Sequence, residues 1–195
     1  MTIIRNKIFI IASLALILSR ILINILDINL FGISYGFHLL DKNLLQDDLL
    51  KSLYYLHSQP IGWNLFAGVL TKLFNGNIEY INNFFEIYQL FLTHLILFIV
   101  LLICKEINYK SIFQYFIIAF IVLNPSILFW EKIFSYQHTV CALIVLISYF
   151  VIKLFNSKEG RYETYIYILL FLLSLIWSAF QPVLILVIFF IFIFL

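Results

Sequence analysis

Long apolar runs dominate this chain and restrict it to one class of protein. A transmembrane helix needs roughly 20 predominantly apolar residues. Hydrophobic residues make up 64% of the chain and charged residues only 11%, whereas about a quarter of a soluble domain is charged. We therefore predict an all-α fold, a polytopic transmembrane helix bundle that forms a single membrane domain over residues 1–195 in a lipid bilayer. The predicted spans are about 8–26, 84–104, 111–130, 138–154, 164–180 and 182–195.

The two ends of the chain carry apolar runs of different kinds. The first follows Arg5 and Lys7 like a signal peptide, but it is too long and no small-x-small cleavage site follows. We interpret it as an uncleaved transmembrane helix. The last run, residues 183–195, holds thirteen apolar residues with no closing charge. We expect the chain to be the N-terminal part of a longer protein.

Charge and cysteine content exclude several function classes. A net charge of +2 is too small to indicate a nucleic-acid partner. Cys104 and Cys141 lie in or beside apolar runs, which predicts free packing thiols without a disulfide or metal-binding spacing. No Gly-rich phosphate loop and no stretch for a soluble nucleotide-sugar domain is present. A lipid-linked sugar donor therefore fits this composition better than a nucleotide sugar.

The segment 61–74, IGWNLFAGVLTKLF, is too short to cross a bilayer. At about 1.5 Å per residue it reaches about 21 Å, against a hydrocarbon core of about 30 Å. Its polar residues and its apolar residues fall on opposite faces at helical spacing, which predicts a helix lying in the membrane interface. The polar face holds Asn64, Gly68, Thr71, Lys72 and Asn75, and the apolar face holds Leu65, Phe66, Val69, Leu70 and Leu73.

The distribution of basic residues supports this reading. If 61–74 does not cross, seven basic residues lie on the cytoplasmic side and four on the opposite side: Arg5, Lys7, Lys105, Lys110, Lys153, Lys158 and Arg161 against Lys42, Lys51, Lys72 and Lys132. If it does cross, the ratio reverses, which the positive-inside rule disfavours. We therefore predict a cytoplasmic N-terminus, an external loop over residues 27–83 and an active face on the external or periplasmic side.

The external loop is predicted to hold a second amphipathic helix, which ends within the polar stretch SLYYLHSQPIGWN, residues 52–64. Its membrane-facing stripe is Leu45, Leu49, Leu53 and Leu56, and Pro60 stops it and starts the next helix. Asp41, Asp47, Asp48 and His57 would then meet at the outer membrane surface, where the phosphate of a lipid-linked sugar would sit.

The order of these elements resembles a known family. One helix, a long external loop with an acidic stretch, an amphipathic helix and an H-x-x-P opening a second short helix are typical of C-class (GT-C fold) polyprenyl-phosphate-dependent glycosyltransferases, which include the protein O-mannosyltransferases and the aminoarabinose transferase of lipid A. The resemblance covers about residues 8–155 and is carried by LLDKNLLQDDLLKSLYYLHSQPIGWNLFAGVLTKLF and IVLNPSILFWEKIFSYQHTVCAL. Ile61 stands where the family has the second proline of Pro-Pro, and no Asp-Glu pair follows the first helix.

The resemblance implies transfer of a sugar from a polyprenyl-phosphate donor to an acceptor, whose identity the sequence does not give. Such a reaction needs a carboxylate base and a cation or a divalent metal ion beside the leaving phosphate. We name Asp41 first and Asp48 second as the catalytic base. Asp47 and Asp48 are also explained as first-turn acids that favour the helix dipole, and Asp41 as a loop acid.

Five further residues are candidates for substrate binding: His57, Arg20, Tyr136, Gln137 and His138. His57 is also the candidate metal ligand, although an interfacial histidine can instead bind lipid headgroups. His138 can equally be a polar cap at a helix start. Arg20 lies inside the first span, where it either snorkels outward or faces the bundle and attracts a phosphate.

Three other polar residues have structural readings. Glu131 and Lys132 are expected to pair with each other at the surface, and His94 to make an interhelical hydrogen bond. A non-enzymatic reading of the whole chain stays open, as a transporter or flippase subunit for lipid-linked saccharides. A transporter would place charges or broken helices near the bilayer midplane.

Overall fold

The computed structural model describes residues 2–26, 42–54, 60–133 and 135–177, and all of the regular secondary structure in these ranges is α-helical. The predicted all-α fold class is thus confirmed. The helices, in chain order, are α1 (Thr2–Ile25), α2 (Lys42–Asp47), α3 (Leu49–Tyr54), α4 (Ile61–Leu73), α5 (Ile78–Glu106), α6 (Ser111–Leu123), α7 (Pro125–Lys132), α8 (Gln137–Ser157) and α9 (Arg161–Ile176).

Three of these helices are long and apolar enough to cross a membrane: Lys7–Ile25 of α1, all of α5 and all of α8. A fourth span is reached if α6 and α7, which meet at a 45° bend, count as one. The chain is therefore a membrane protein by the length and composition of its helices. α9 covers 16 residues, and the predicted span 182–195 lies outside the described residues.

Helix α5 is the centre of the bundle. It packs against α1, α6, α7 and α8, while α9 packs against α8 and α4. One apolar cluster joins α1, α5 and α6 through residues such as Leu16, Leu97 and Ile118. A second cluster joins α2, α3 and α4 to α5, α8 and α9 around Trp63 and Phe85. The short helices before α5 are therefore part of the packed core.

The leucine stripe of the predicted first interfacial helix does not face a membrane. Leu45, Leu49 and Leu53 are buried in the cluster around Trp63 and Phe85. The stripe falls on two short helices, α2 and α3, which meet at Asp48. A membrane-facing orientation was wrong for these three leucines because α4 offers them an apolar partner within the protein. Leu56 lies outside the described residues.

Helix α4 does not divide into the two predicted faces. Asn64, Gly68 and Thr71 of the expected polar face are buried while Lys72 and Asn75 are exposed, and Leu70 of the expected apolar face is buried. Asn64 and Thr71 are buried and each donates a hydrogen bond to a carbonyl four residues earlier, Pro60 O at 2.9 Å and Ala67 O at 2.8 Å. These bonds satisfy the polar groups within the helix, so their burial is tolerated. Ile61, Leu65, Val69 and Leu73 form an exposed apolar edge, and Lys72 is exposed beside it.

Two glycines allow this close packing of α4. A Cβ on Gly68 would lie 2.3 Å from Leu49 Cδ1, and one on Gly62 would lie 2.9 Å from the carbonyl oxygen of Leu175. Gly62 therefore lets α4 approach the α9 backbone, and Gly68 lets it accept a leucine side chain from α3. Pro60 precedes α4 as predicted and its carbonyl accepts from Asn64 N–H at 3.1 Å.

Candidate functional site

Arg20 faces the helix bundle and pairs with a glutamate of α7. Its Nε donates to Glu131 Oε2 at 2.9 Å and its Nη2 donates to Glu131 Oε1 at 2.6 Å. The two side chains are only 11% and 8% exposed. A two-pronged arginine–carboxylate contact of this kind is stronger and more specific in geometry than a hydrogen bond between neutral groups. Of the two orientations predicted for Arg20, the structure has the inward one.

The break between α6 and α7 supplies Arg20 with a further partner. In a continuous helix the Val122 carbonyl would accept from the Ser126 N–H, four residues on. Here the Ser126 N–H instead donates to the Asn124 side chain at 2.9 Å, and Pro125 begins α7. Arg20 Nη1 donates to the released Val122 carbonyl at 2.7 Å. The bend thus leaves a carbonyl without its helical donor, and the buried arginine donates a hydrogen bond to that carbonyl.

Thr93 extends the network from Glu131 to His138. Its hydroxyl lies 2.6 Å from Glu131 Oε1 and 3.2 Å from His138 Nε2. A hydroxyl has one proton to donate, and an ionised carboxylate can only accept. Thr93 therefore donates to Glu131, and His138 Nε2 must carry the proton that it donates to Thr93. In the neutral ring His138 Nδ1 is then an acceptor, and it has no hydrogen-bond partner among the described residues.

A cavity of about 160 Å³ lies beside the Arg20–Glu131 pair. Lys132 stands at this cavity with its Nζ 3.2 Å from Glu86 Oε1, and these two side chains are 33% and 43% exposed. The expected pairing of Glu131 with Lys132 was wrong, because consecutive helical residues do not face each other. The cavity is lined by Arg20, Ile23, Asn24, Glu86, Ile87, Leu90, Leu128, Glu131 and Lys132.

The cavity lies at the end of the bundle from which the segment between α1 and α5 extends. Arg20, Ile23 and Asn24 come from the last turns of α1, and Glu86 and Ile87 from the first part of α5. The candidate residues Asp41 and His57 belong to that segment but lie outside the described residues. Asp48 is exposed between α2 and α3 and takes no part in the Arg20 network.

A second cavity, of about 350 Å³, lies at the start of α8. Its lining includes Tyr136 and Gln137, two of the predicted substrate-binding residues, and four others: Val140, Cys141, Ile144 and Trp177. Tyr136 is buried, and burial raises the pKa of its phenol, so it stays a neutral hydroxyl. The structure therefore places His138 in the Arg20 network and its two predecessors at this separate cavity.

Some polar residues adopt roles other than those predicted. His94 Nδ1 lies 3.0 Å from the Leu90 carbonyl of its own helix, and the expected interhelical bond is not found among the residues that the structure describes. Both cysteines are free, but only Cys104 is buried and Cys141 is exposed. Among the residues that the structure describes, no group of three His, Cys, Asp or Glu side chains could hold a metal ion.

Glu86, Gln89 and Thr93 were not among the predicted site residues. A usable signal existed, because these residues recur every three or four positions and so share one face of an otherwise apolar helix. Glu131 was noticed but assigned to the surface. A polar stripe on a long span, read together with the Asn-Pro break before Glu131, would have indicated a buried network.

No known protein family, curated protein or solved structure matches this chain. The resemblance to C-class glycosyltransferases therefore rests on the sequence motifs alone.

Proposed function

We propose that this chain belongs to a membrane glycosyltransferase that moves a sugar from a polyprenyl-phosphate donor to an acceptor at the external face. The observation that carries the proposal is the cavity at Arg20, where two cationic side chains meet apolar residues. A polyprenyl phosphate has the same two-part character, an anionic head on an apolar tail.

Lys132 is the side chain best suited to meet the phosphate. Its only ion-pair partner among the described residues is Glu86, and the pair is partly exposed. A partly exposed pair of this kind contributes only about 0–1 kcal/mol, so a phosphate can displace Glu86 at small cost. Lys132 then exchanges a carboxylate for a more highly charged anion.

Arg20 contributes in a different way. Its Nε and Nη1 and one proton of Nη2 are engaged by Glu131, Ser19 and Val122. The remaining Nη2 proton has no partner in the described part of the chain, and the side chain lines the cavity. Arg20 is therefore a fixed donor that Glu131 holds in place, which is the arrangement that favours a developing negative charge.

The apolar part of the cavity offers a route for the isoprenoid tail. Ile23, Ile87, Leu90 and Leu128 line it, and Ile87 is 70% exposed on the outer surface of α5. A lipid can thus reach the cations from the side of the bundle without crossing its core.

The proton of the acceptor requires a base. Both Glu131 oxygens are already engaged by Arg20 and Thr93, so we assign Glu131 to positioning. We keep Asp41 and then Asp48 as the proposed bases, with His57 as a phosphate or metal ligand. A divalent metal ion, if one is used, would supply Lewis-acid stabilisation of the leaving phosphate.

A transfer assay tests the proposal. The full-length protein is reconstituted in liposomes with radiolabelled polyprenyl-phosphate mannose or polyprenyl-phosphate glucose, with and without MgCl2, and release of label from the lipid is followed. We expect turnover that falls in Lys132→Gln, Asp41→Asn, Asp48→Asn and His57→Ala but not in Lys51→Gln, whose lysine is exposed on α3. No turnover with either donor, or equal turnover in all variants, would contradict the proposal.

One observation favours the transport alternative. The 45° break between α6 and α7 lies beside a buried ion pair, and broken helices with buried charges are typical of transporter sites. A flippase subunit would move a fluorescent polyprenyl-phosphate sugar across the liposome bilayer without cleaving it. Loss of fluorescence to an impermeant quencher added outside, with intact lipid recovered, would identify that activity.

A further inference from the structure

The start of α8 is unusually rich in buried hydrogen-bond acceptors. Four buried atoms here have no hydrogen-bond partner among the described residues: Gln89 Oε1, Ser135 Oγ, Gln137 Oε1 and His138 Nδ1. Native proteins leave few such atoms without a partner. Of these four, the two amide oxygens can only accept, and His138 Nδ1 accepts in the neutral ring because its Nε2 proton is given to Thr93.

These residues form one continuous junction. Gln89 Nε2 lies 3.4 Å from both the Ile133 and Ser135 carbonyls, so α5 is tied to the segment that leads into α8. Thr93, one turn further along α5, lies 3.2 Å from His138. The acceptors therefore gather between α5 and the first turn of α8. Of the four residues, Gln137 alone lines the neighbouring cavity, so a ligand there must bring a hydrogen-bond donor to its amide oxygen.

The neighbouring cavity has the size and walls for a small ring. Its volume of about 350 Å³ is at the lower end of the roughly 300–1,000 Å³ that is usual for ligand sites. Trp177 and Tyr136 contribute aromatic side chains and Gln137 contributes an amide. The Gln137 oxygen can turn toward the cavity without breaking a bond to a described residue.

We propose that the cavity formed by Tyr136, Gln137, Cys141 and Trp177 binds a sugar ring, which places an apolar C–H face on the aromatic side chains and donates hydroxyl hydrogen bonds to Gln137. The inference rests on the proposed function, since it assigns the sugar of the glycosyl donor or of the acceptor to this cavity. Gln137 and His138 are consecutive, and His138 reaches Glu131 through Thr93. The first turn of α8 therefore carries both a residue of the sugar cavity and the histidine of the Arg20 network.

Cys141 offers a direct report of occupancy. Cys141 is an exposed residue that lines the cavity, whereas Cys104 is buried. The full-length protein carrying Cys104→Ala is placed in lipid nanodiscs and modified with a small methanethiosulfonate reagent. The probes are methyl α-mannopyranoside and methyl α-glucopyranoside, and sorbitol at equal concentration is the acyclic control. Polyprenyl phosphate with and without a mannosyl group tests the lipid-linked source.

We expect a ring glycoside to slow modification of Cys141 by a factor of 1 + [L]/Kd, which is about threefold at twice Kd. Gln137→Ala should remove this protection and keep the rate that is measured without sugar. Gln46→Ala, a glutamine exposed on α2, should retain the protection. Stronger protection by polyprenyl-phosphate mannose than by polyprenyl phosphate assigns the donor sugar, and protection by free glycosides alone assigns the acceptor.

Three results would overturn the inference: no slowing by any sugar, equal slowing by sorbitol, or undiminished protection in Gln137→Ala. The two proposals fail separately. Protection without turnover in the transfer assay would keep a sugar site and remove the transferase. Turnover without protection would keep the transferase and remove this cavity from it.

Discussion

Arg20 and Glu131 are 111 residues apart in sequence and form a buried, two-pronged ion pair that joins α1 to α7. Neither charge has an alternative ionic partner within 4 Å in the part of the chain that the structure describes. The pair therefore fixes the position of the first helix against the bent α6–α7 unit, and both cavity cations depend on that position.

Removing one member of this pair should be costlier than removing both. Arg20→Met leaves a buried carboxylate without its cation, which typically costs about 3–5 kcal/mol of folding free energy. The double variant Arg20→Met with Glu131→Met should recover most of that loss, because no uncompensated charge remains. Thermal unfolding in detergent, followed by circular dichroism, measures the difference.

Arg161→Ala is the matched control for this comparison, because Arg161 pairs with Glu159 at the exposed start of α9. Exposed pairs contribute little, so this variant should unfold like the wild type. Equal loss of stability in Arg20→Met and in the double variant would show that removing Glu131 as well does not restore stability. The uncompensated charge would then not be the cause of the loss.

Asn124 should stabilise the α6–α7 bend through its side chain. Its Oδ1 accepts the Ser126 N–H at 2.9 Å, and loss of such a cap costs about 1 kcal/mol. Asn124→Ala should therefore lower stability by about that amount, while Asn124→Asp keeps an acceptor at the same place and should be close to neutral. Ser126→Ala preserves the N–H and serves as the control. Equal stability of Asn124→Ala and Ser126→Ala would remove the cap from the explanation.

The sequence predicted the helices better than it predicted their faces. Spans 84–104 and 138–154 fall inside α5 and α8, since apolar length is a local property that composition records. The faces of α4 were predicted wrongly at Asn64 and Thr71, because these side chains satisfy their polar groups on their own helix and so can be buried. Side-chain polarity alone could not reveal that satisfaction.

The candidate site was predicted only in part for a similar reason. Arg20 and His138 were named, but the residues that connect them, Thr93 and Glu131, were not assigned to the site. Their meeting depends on how α5, α7 and α8 pack and on the carbonyl released at the α6–α7 break. The polar spacing on α5 and the Asn-Pro break can each be read from the sequence, but the packing that brings their residues together is not recorded in either segment.

The loss of stability caused by a glycine-to-alanine substitution should depend on which atoms the added methyl group contacts. Gly62→Ala should be the most damaging, because its Cβ would press on backbone atoms of Leu175 at 2.9–3.1 Å and force α4 away from α9. Overpacking of this kind typically costs about 1–3 kcal/mol. Gly68→Ala meets a leucine side chain that can change rotamer, so its cost should be smaller.

Gly160→Ala is the control in the same series, since nothing lies within 4 Å of its added Cβ. Unfolding midpoints in detergent should therefore fall in the order Gly160→Ala, Gly68→Ala, Gly62→Ala. The double variant Leu49→Ala with Gly68→Ala should lose less stability than the sum of the two single variants. Leu49→Ala removes the side-chain atoms that the methyl group of Gly68→Ala would contact. Strict additivity of the two would show that Leu49 does not contact Gly68.

Opposite charge changes at the first cavity should move anion affinity in opposite directions. Lys132→Gln removes a cation and Glu86→Gln removes its competitor, and Lys132 Nζ lies 3.2 Å from Glu86 Oε1. Hydrogen bonds to charged groups contribute about 1.5–3 kcal/mol, and 1.4 kcal/mol corresponds to about tenfold in Kd. We therefore expect polyprenyl phosphate to bind about tenfold more weakly to Lys132→Gln and more tightly to Glu86→Gln. Binding of a fluorescent polyprenyl phosphate to protein in nanodiscs measures both.

A change in the total charge of the protein would alter the affinity for the lipid phosphate in the same direction. Each variant therefore needs a control that makes the same change in charge at a residue outside the cavity. Lys51→Gln on α3 and Glu79→Gln at the start of α5 alter exposed residues and should leave Kd unchanged, because screening by about 0.15 M salt extends over only about 8 Å. If Lys51→Gln weakened binding as much as Lys132→Gln, the lipid phosphate would be attracted by the whole surface. The cavity beside Arg20 would then have no specific part in holding it.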